Sequence, residues 1–445
     1  MPDSTHTYTI ILPHPNQPAL FALRSDDGWR LPEITIHDEH RWRDVGLVAR
    51  AMRGEYALNV SFLRYLLTSS DPQNERHTAL CVLENHTSDW QPPTVGAWLE
   101  YAACDQILLP DAERASLAAW LANPLPSAER PEWEQPGWYA NASTWIDTQF
   151  AVQGLNRWGP IDQIRSSFGS CILFASVVGG VVYFKASSPL YRFEPRLTQL
   201  LAEDYGDWVP QVLAIEAERG WLLMGGIQGV RLDAYPETAQ YIPRWQWLLR
   251  EVGTMQRDYL DKVGQLLALG VPDLRLETLA TTIEPWFASL PTFLGDQAAA
   301  FQPLAARLTA LCAELAALGL PATLNHGDFH SGNIVADAEG CVLLDWAGFV
   351  SVTHPFLGLA TVFEEHATPE RQAQMLRAYL PPWEQLASPA DLQTAARLAV
   401  PLGVLLGAMG HRRQLAHATL EWEQSQEIEN LLDCLNRMRS MIIDH

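Results

Sequence analysis

Apolar positions recur with a period of two in the first part of the chain and with a period of three to four later. Alternation and short apolar runs predict strands at Tyr8–Leu12, Ala19–Leu23, Val60–Thr68 and Ala79–Glu84. Helical spacing predicts helices around Val45–Met52 and over Ala112–Ala122. Residues 1–123 are therefore predicted to form a mixed α+β domain.

A proline-rich stretch follows that domain. Four prolines lie among Ser, Glu and Gly between Pro124 and Trp138, a composition typical of a linker. A helix is predicted from about Thr144 to Arg157. We place the linker at residues 124–143 and the start of the next domain at residue 144.

The next segment again has the pattern of strands. Ile164–Ser170 is predicted to be a turn before a strand at Cys171–Val178, and Gly179 and Gly180 form a two-residue turn before Val181–Lys185. Further strands are predicted at Trp208–Ala217 and Trp221–Met224. Residues 144–228 are therefore a second, sheet-rich segment.

From Tyr241 onward the apolar positions have helical spacing. One stripe runs from Trp245 to Tyr259 and a second from Leu304 to Leu318, and residues 369–445 are predicted to be helical throughout. The uncharged apolar run Leu398–Gly410 is shorter than the ~20 residues of a membrane span, so we predict a buried helix. Residues 229–445 form the helical part of the chain.

One stretch within the helical part, Leu324–Trp346, has a different pattern. A polar loop contains Asp328 and Asn333 and leads into a predicted hairpin, with strands at Ile334–Val335 and Cys341–Leu344 and a turn at Asp337–Gly340. The second strand ends at Asp345. Three oxygen-bearing side chains can therefore converge on one point.

That set of side chains suits phosphoryl transfer. The reaction needs a carboxylate that orients and deprotonates the acceptor, and oxygen ligands for Mg²⁺. Since Mg²⁺ keeps several waters, one Asp and one Asn can suffice as protein ligands. Asp, Asn and Gly are also ordinary turn residues, so each alone would indicate a plain hairpin. Their joint spacing favours the functional interpretation, with Asp328 as base and Asn333 and Asp345 as metal ligands.

The run from His326 to Asn333, followed by Leu344-Asp345-Trp346, resembles the catalytic loop and metal-binding segment of the aminoglycoside phosphotransferase family, which includes choline kinase-like enzymes. The resemblance covers about residues 155–445. It implies a two-lobed protein-kinase-like fold, ATP, and transfer to a small-molecule hydroxyl. By motif position it makes Asp328 the base, gives His326 a structural role and places His330 near the acceptor.

The resemblance also implies a nucleotide site in residues 144–228. The turn Ser166-Ser167-Phe168-Gly169-Ser170 would cover the phosphates, although it is not G-x-G-x-x-G and is otherwise a plain hairpin turn. Lys185 ends a strand, where a lysine is usually solvated, but Glu194 opens the next helix and can reach back to it. Met224-Gly225-Gly226 would be the hinge that meets adenine, or an ordinary flexible turn.

The chain departs from the family pattern at one position. The family commonly has P-x-x-D-L-A where this chain has Pro355–Ala360, and Gly358 replaces the aspartate. That aspartate supports the catalytic loop, so the loop is expected to lose this support. In the helices that usually line the acceptor site, Glu364, Glu365, Glu421 and Glu423 are candidates for contacting an amine, with a solvated helix surface as the alternative.

Composition limits the possible partners and compartment. A chain of 445 residues, 48% hydrophobic and 18% charged, predicts two to three globular domains. The net charge of -22 argues against nucleic acid or an anionic membrane surface as partner; it is compatible with a cationic acceptor, but also with solubility alone. Six scattered cysteines without C-x-x-C, and no signal-peptide pattern in Met1–Leu20, predict a cytoplasmic protein with reduced thiols.

The first domain carries a weaker resemblance. Gly28–Glu33, G-W-R-L-P-E, and the mixed layout around it resemble the Nudix fold. The corresponding helix offers Arg50, Arg53 and Glu55 without the R-E-x-x-E-E cluster that binds metal and activates water, so hydrolysis is not expected. A generic α+β domain is the alternative.

Two functional hypotheses follow. The first is an ATP- and Mg²⁺-dependent phosphotransferase that acts on the hydroxyl of an aminoglycoside-like, choline-like or sugar-like acceptor. The second is a nucleotide-binding regulatory protein of the same fold without turnover. Retention of Asp328, Asn333, Asp345, Lys185 and Glu194 together favours the first. The acceptor and the oligomeric state are open.

Overall fold

A computed structural model describes residues 5–37, 41–71, 75–125, 130–227, 229–234, 240–336 and 340–443. Most of the predicted turn at Asp337–Gly340 lies outside the described residues. The chain divides into two units. Unit 1 contains Met1–Ser188, Trp221–Met224 and Leu420–Trp422, and unit 2 contains Pro189–Gly220, Gly225–Thr419 and Glu423–His445.

In the described residues up to Ala122, unit 1 contains one mixed sheet, one antiparallel sheet and two α-helices. The elements are β1 (Thr5–Ile11), β2 (Ala19–Ser25), β3 (Gly28–Arg30), β4 (Glu33–His37), α1 (Gly46–Tyr56), β5 (Val60–Asp71), β6 (Arg76–Asn85), β7 (Gly96–Glu100) and α2 (Asp111–Ala122). One sheet has the order β4-β1-β6-β5, with β1 parallel to β6, and the other has the order β3-β2-β7. The predicted mixed α+β character of this region is confirmed, while its likeness to the Nudix fold stays a prediction.

The rest of unit 1 is a helix and an antiparallel sheet. Here α3 (Trp138–Gln153) precedes β8 (Arg157–Ser166), β9 (Ser170–Val177) and β10 (Gly180–Ser187). Strand β12 (Trp221–Gly225) continues this sheet, in the order β12-β10-β9-β8. Apolar residues alternate inward along β9, as the sequence pattern predicts.

Buried hydrogen bonds join the first sheet region to β8 inside unit 1. The Gln163 amide donates to the Phe62 carbonyl at 3.1 Å and accepts the Phe62 N–H at 2.6 Å. Arg53 forms an ion pair with Asp162. Unit 1 therefore extends across the predicted boundaries at residues 123 and 143, which stay predictions.

Unit 2 is mainly helical. Its elements, with β12 at the boundary, are α4 (Glu194–Tyr205), β11 (Val212–Glu216), β12 (Trp221–Gly225), β13 (Val230–Arg231), α5 (Tyr241–Asp258), α6 (Val263–Ala268), α7 (Leu276–Ser289), α8 (Pro291–Leu294), α9 (Leu304–Ala316), β14 (Thr323–Asn325), β15 (Ile334–Ala336), β16 (Cys341–Leu343), β17 (Ser351–Thr353), α10 (Leu359–Glu365), α11 (Pro369–Tyr379), α12 (Pro389–Leu415) and α13 (Glu421–Ile443).

Two of the predicted elements differ from the structure. The strand predicted at Trp208–Ala217 begins only at Val212, because Pro210 lacks the N–H that a ladder needs and Trp208 is buried in a turn instead. The region 369–445 is not helical throughout, since the helices are interrupted around residues 384–388 and 416–420.

The predicted buried helix at Leu398–Gly410 lies within α12. Within the described part of the chain, α12 is the one helix long and apolar enough to cross a membrane by length and composition. Its residues Leu392, Ala395, Leu402 and Leu405 are each fully buried in the apolar core of unit 2. Packing of this kind is what a core helix shows.

Candidate active site

Two short strand pairs frame the polar loop of unit 2. β14 pairs antiparallel with β17, and β15 pairs antiparallel with β16. The loop between β14 and β15 contains a 3₁₀ turn at Ser331–Asn333. Asp328 and Asn333 therefore sit on a loop fixed at both ends by strands, and Asp345 follows the end of β16.

The loop begins with a glycine that no other residue can replace without strain. Gly327 has φ +75°, in the left-handed region, and a Cβ atom there would lie 2.2 Å from the Phe349 carbonyl oxygen. The backbone of the segment after Asp345 therefore packs directly against the start of the loop. Close approach of this kind requires glycine.

Asp328 and Asn333 are in direct contact. The Asn333 amide nitrogen donates to the Asp328 carboxylate oxygen Oδ2 and to the Asp328 carbonyl oxygen, each at 3.0 Å. Because these bonds occupy the amide nitrogen, Oδ1 is the atom of Asn333 left to bind a cation.

His330 lies next to the same carboxylate, with its Nε2 3.5 Å from Asp328 Oδ2. Burial raises the pKa of Asp328, but the hydrogen bond and charge of His330 outweigh burial and hold that pKa below its usual value. Reciprocally, the hydrogen bond to Asp328 raises the pKa of His330. The Asp328 carboxylate is therefore ionised at neutral pH.

His326 connects the loop to the strand that ends at Asp345. Its Nε2 donates to the Leu344 carbonyl at 2.8 Å, and its Nδ1 accepts the Asp328 N–H at 3.3 Å. Burial lowers the pKa of His326, which favours this neutral tautomer. The ring also packs edge-on against Trp346, with 4.8 Å between ring centroids. His326 thus has the bonding pattern of a structural residue.

Asp345 reaches the site in an unusual backbone conformation. Its φ of +64° lies in the left-handed region. The Leu344 N–H donates to the Asn333 carbonyl at 2.8 Å, which holds the chain before Asp345 against the loop. The charge of Asp345 raises the pKa of Asp328 and that of His326, so all three groups share one electrostatic environment.

These residues fit a magnesium ion better than a transition metal. Among the described residues, no three His, Cys, Asp or Glu side chains are grouped as metal ligands. One carboxylate from Asp345 and the remaining amide oxygen of Asn333 match the hard, partly hydrated coordination that Mg²⁺ prefers. The donor set of the loop is therefore compatible with the expected metal.

Asp328 faces a cavity of about 200 Å³ within unit 2. Three helices supply most of its wall: α10, α12 and α13. Arg437 donates to Glu364 at 2.5 Å and lies 3.8 Å from Asp433, and all three line the cavity. His411, also in the wall, is hydrogen-bonded to Glu427 at 2.8 Å. The wall thus combines carboxylates with an arginine that partly neutralises them.

The four acidic candidates have different environments. Glu364 lines the cavity, whereas Glu365 accepts the Ser331 N–H at 3.1 Å and the Tyr241 hydroxyl at 2.9 Å. Glu423 is buried near the start of α13, and Glu421 is exposed. Glu365 therefore supports the polar loop between β14 and β15.

Sequence reasoning missed several residues here. Asn325, which holds the loop, was not named, and neither were Asn430, Asp433 and Arg437 of α13, which line the cavity. Glu365 was named as a candidate amine contact, but its bond to the loop was not foreseen. The α13 residues are spaced three and four apart, so they share a helix face. That spacing was the available signal, but nothing in the sequence shows which element the face meets.

The predicted nucleotide residues lie in both units. In unit 1, Ser166–Ser170 form the end of β8, a turn and the start of β9, and Lys185 is a buried residue of β10. In unit 2, Glu194 is the buried first residue of α4. The boundary between the units falls between Met224 and Gly225, with Gly226 next. The pairing of Lys185 with Glu194, and the nucleotide contacts of the loop and hinge, stay predictions.

Comparison with known proteins identifies a family. Residues 182–388 match the family described as "Phosphotransferase enzyme family". No curated protein matches the chain.

Several solved structures are similar at low identity. A choline/ethanolamine kinase family protein from Mesorhizobium loti has 12% identity and a TM-score of 0.48, covering 68% of this chain and 95% of that one. Choline kinase LicA from Streptococcus pneumoniae has 13% identity and a TM-score of 0.43, covering 67% and 99%. Macrolide 2'-phosphotransferase MphH from Brachybacterium faecium has 16% identity and a TM-score of 0.44, covering 68% and 98%.

The predicted family is confirmed where the match extends. That span begins in β10, before Lys185, and ends at Ser388, just before α12, so it includes the whole loop from His326 to Asp345. The similarity to the phosphotransferase enzyme family is therefore shown for residues 182–388, a little under half of the chain.

Proposed function

We propose that this protein transfers the terminal phosphate of ATP to a hydroxyl group of a small molecule. The observation that carries the proposal is the ionised carboxylate of Asp328, bonded to Asn333 and facing a cavity in unit 2. A carboxylate there can receive an acceptor hydroxyl from the cavity. The match of residues 182–388 to a phosphotransferase family supports the same chemistry.

Asp328 orients the acceptor and takes its proton. Phosphoryl transfer passes through a loose transition state, so the attacking oxygen needs positioning more than early deprotonation. The lowered pKa of Asp328 suits that role, because a weakly basic carboxylate accepts a hydrogen bond from the hydroxyl throughout. The proton moves to Asp328 as the new P–O bond forms.

Asn333 and Asp345 would hold Mg²⁺, which supplies positive charge to the phosphate oxygens when it is bound. The Asn333–Asp328 hydrogen bonds fix the amide so that its oxygen is available. Lys185 with Glu194, the turn Ser166–Ser170 and the hinge Met224–Gly226 are proposed to bind the nucleotide. These roles rest on motif position.

The cavity indicates a small acceptor. Its volume of about 200 Å³ is below the roughly 300–1,000 Å³ of sites that enclose drug-sized ligands. Asp328, Glu364 and Asp433 give its wall three carboxylates against one guanidinium from Arg437. We therefore propose a compact, hydroxylated acceptor, neutral or cationic, in preference to an anion.

We also propose that the protein works in the cytoplasm. All six cysteines are buried free thiols, as expected in a reducing compartment. Burial of each thiol also raises its pKa where a shift is resolved, for example that of Cys104 to about 11, which protects it from oxidation.

The proposal is tested by measuring ADP release from ATP and Mg²⁺ with a panel of small amines, sugars and polyols. Asp328→Asn should lower kcat by about 100- to 10,000-fold, the usual contribution of a general base, while ATP binding measured by calorimetry is retained. Asp296→Asn, an exposed residue of unit 2, is the matched control and should keep full activity.

The competing function is a nucleotide-binding regulatory protein without turnover. Its supporting observation is that the turn Ser166–Ser170, which we propose covers the phosphates, lacks the G-x-G-x-x-G pattern. If ATP binds with normal affinity and no acceptor in the panel accelerates ADP release above the Asp328→Asn background, this alternative is correct.

A further inference from the structure

A second cavity in unit 2 has a different chemical character from the one at Asp328. Its volume is about 430 Å³, within the roughly 300–1,000 Å³ typical of small-molecule sites. One side of the C-terminal half of α12 forms its wall, facing Phe293 and the segments at residues 272–274 and 349–350. We call it the basic cavity.

The wall of the basic cavity is mainly apolar. Its apolar side chains include Leu274, Phe293, Val350, Leu406 and Met409. Its charged or titratable residues are Arg412, Arg413 and His417, and no acidic residue of the described chain lines it. In a chain with a net charge of -22, an apolar cavity lined by cationic groups is a selective environment for an anion.

Among the described residues, neither arginine has a carboxylate within ion-pair distance of its guanidinium, and the buried Nε atom of each has no hydrogen-bond partner. Arg412 instead lies over the rings of Trp286 and Phe293, 5.5 and 5.7 Å from their centroids, and donates to the Ser289 hydroxyl.

Arg413 is placed in a similar way, over the Tyr191 ring, and donates to the Gly348 carbonyl. Arg412 is thus fixed in position by aromatic and neutral contacts that leave its charge uncompensated. The Tyr191 side chain beside Arg413 also interacts with the charges of Asp345 and Glu427, so the charge of Arg413 is better compensated than that of Arg412.

An uncompensated, partly buried charge is unfavourable. Burial lowers the pKa of Arg412, which shows the cost of keeping its charge there. An arginine held on aromatic rings with unused donors is preorganised for a carboxylate or similar anionic head, since little freedom is lost on binding. A cationic ligand would add repulsion, and a neutral one would leave the charge unpaired.

We propose that the basic cavity is a second ligand site, which binds a small amphipathic monoanion with an aliphatic or aromatic body. The body contacts Leu406, Met409 and Phe293, and the anionic head binds the Arg412 guanidinium, with Arg413 as a second cation. Phe349 lines both cavities, but ligand binding in the basic cavity does not depend on the phosphate-transfer chemistry.

The test is binding to the full-length protein, with 1-anilinonaphthalene-8-sulfonate as a fluorescent probe and octanoate as competitor. Octanoate should displace the probe saturably, whereas octanol and octylammonium, which have the same body, should be at least about tenfold weaker because they cannot pair with Arg412. Equal displacement by all three compounds overturns the proposal, as does absence of saturable binding.

Variants locate the site. Arg412→Met keeps the apolar stem and removes the charge, and should weaken the affinity for octanoate by at least about tenfold. The variant should fold, because it removes an uncompensated charge. Ala416→Trp, at an exposed wall position, should block binding while leaving Arg412 in place. Arg397→Met, an exposed arginine of the same helix, is the matched control. Unchanged affinity in both Arg412→Met and Ala416→Trp would refute the assignment.

Discussion

The side-chain oxygen of Asn325 lies 2.7 Å from the position that a Cβ atom on Gly358 would occupy. The same oxygen accepts the Gly327 N–H at 3.0 Å, and the Asn325 amide nitrogen donates to the Pro355 carbonyl at 3.4 Å. Asn325 is 2% exposed. Support for the catalytic loop, expected to be lost with the aspartate at position 358, therefore comes from Asn325 on the preceding strand.

The contact between Asn325 and Gly358 predicts that an aspartate at position 358 can replace Asn325 as the support of the loop. Asn325→Ala leaves the buried Gly327 N–H without its partner, while the Pro355 carbonyl keeps the Tyr379 hydroxyl at 3.0 Å. The cost is about 2 kcal/mol, and kcat should fall by roughly tenfold or more with little change in the acceptor KM. Gly358→Asp alone should also be harmful, because its side chain meets Asn325. The double variant Asn325→Ala/Gly358→Asp has room for the aspartate and should recover much of the lost kcat. Additive losses in a double-mutant cycle would contradict this explanation.

Glu365 should act on turnover through the loop. Its carboxylate joins the Ser331 N–H to the Tyr241 hydroxyl. Glu365→Ala should lower kcat by about 10- to 100-fold, since a lost charged hydrogen bond is worth about 1.5–3 kcal/mol, with the ATP KM nearly unchanged. Tyr241→Phe, which keeps the Ser331 contact, should have a smaller effect. An ATP KM that rises as much as kcat falls would indicate a general structural defect instead.

Trp133 should affect nucleotide binding from outside the predicted nucleotide site. Its indole N–H donates to the Ser167 carbonyl at 3.0 Å, in the turn proposed to cover the phosphates. Trp133→Phe should weaken ATP binding by about fivefold, the equivalent of one hydrogen bond of roughly 1 kcal/mol.

The matched control is Trp138→Phe. Trp138 is similarly buried, at 5% exposed against 3% for Trp133, but its indole nitrogen has no hydrogen-bond partner among the described residues. Calorimetric titration with ATP should separate the two variants. Equal weakening in both would mean that lost aromatic volume, and not the bond to Ser167, is responsible.

Substitution of Gly319 and of Gly327 allows the cost of backbone strain to be measured separately from the cost of a steric contact. Gly327 and Gly319 have similar φ values of +75° and +72°, but a Cβ on Gly319 meets nothing within 4 Å, while one on Gly327 meets the Phe349 carbonyl. Gly319→Ala should cost about 1 kcal/mol of the free energy of unfolding. Gly327→Ala should cost about 1–3 kcal/mol more, and should also abolish turnover. Urea unfolding gives both values, and equal losses would show that the contact with Phe349 relaxes.

His354 should make the fold sensitive to acid. Burial lowers its pKa to about 3, and its Nδ1 accepts the Phe356 N–H at 3.3 Å. Because the unfolded chain protonates near pH 6.5 while the folded protein stays neutral, the stability from this group is present above pH 6.5 and is lost as the pH falls below it. Between pH 7 and pH 5 the loss is about 2 kcal/mol.

His354→Asn tests this effect, since the Asn side chain can still accept the Phe356 N–H but does not titrate. The difference between the free energies of unfolding at pH 7 and pH 5 should shrink by about 2 kcal/mol in the variant. His37→Asn, at an exposed position, should leave that difference unchanged. A variant with the same pH dependence as the natural protein would disprove the assignment.

Many helices and strands could be predicted because the local spacing of apolar residues determines them. The stripe from Trp245 to Tyr259 corresponds to α5, and the short apolar runs on either side of the polar turn correspond to β15 and β16. The exception at Trp208–Pro210 has a local cause too: a buried tryptophan looks the same in sequence whether it lies in a strand or in a turn.

The site could be predicted only in part. Asp328, Asn333 and Asp345 could be selected from the sequence because they lie within one short stretch of chain, on a loop and at the end of a hairpin. The cavity wall could not be predicted, because Asp433 and Arg437 belong to α13, which is distant in sequence from the loop. The position of α13 depends on tertiary packing. For the same reason, nothing local showed that Gln163 bonds to the backbone of Phe62.

The left-handed backbone of Asp345 sets a limit on how this protein can be improved. A non-glycine residue held in that region stores about 1 kcal/mol or more of strain, which glycine would release. A search for heat-resistant variants, without a demand for turnover, would therefore favour the substitution Asp345→Gly and lose the carboxylate. Thermal stability favours glycine at position 345, whereas phosphate transfer requires the aspartate.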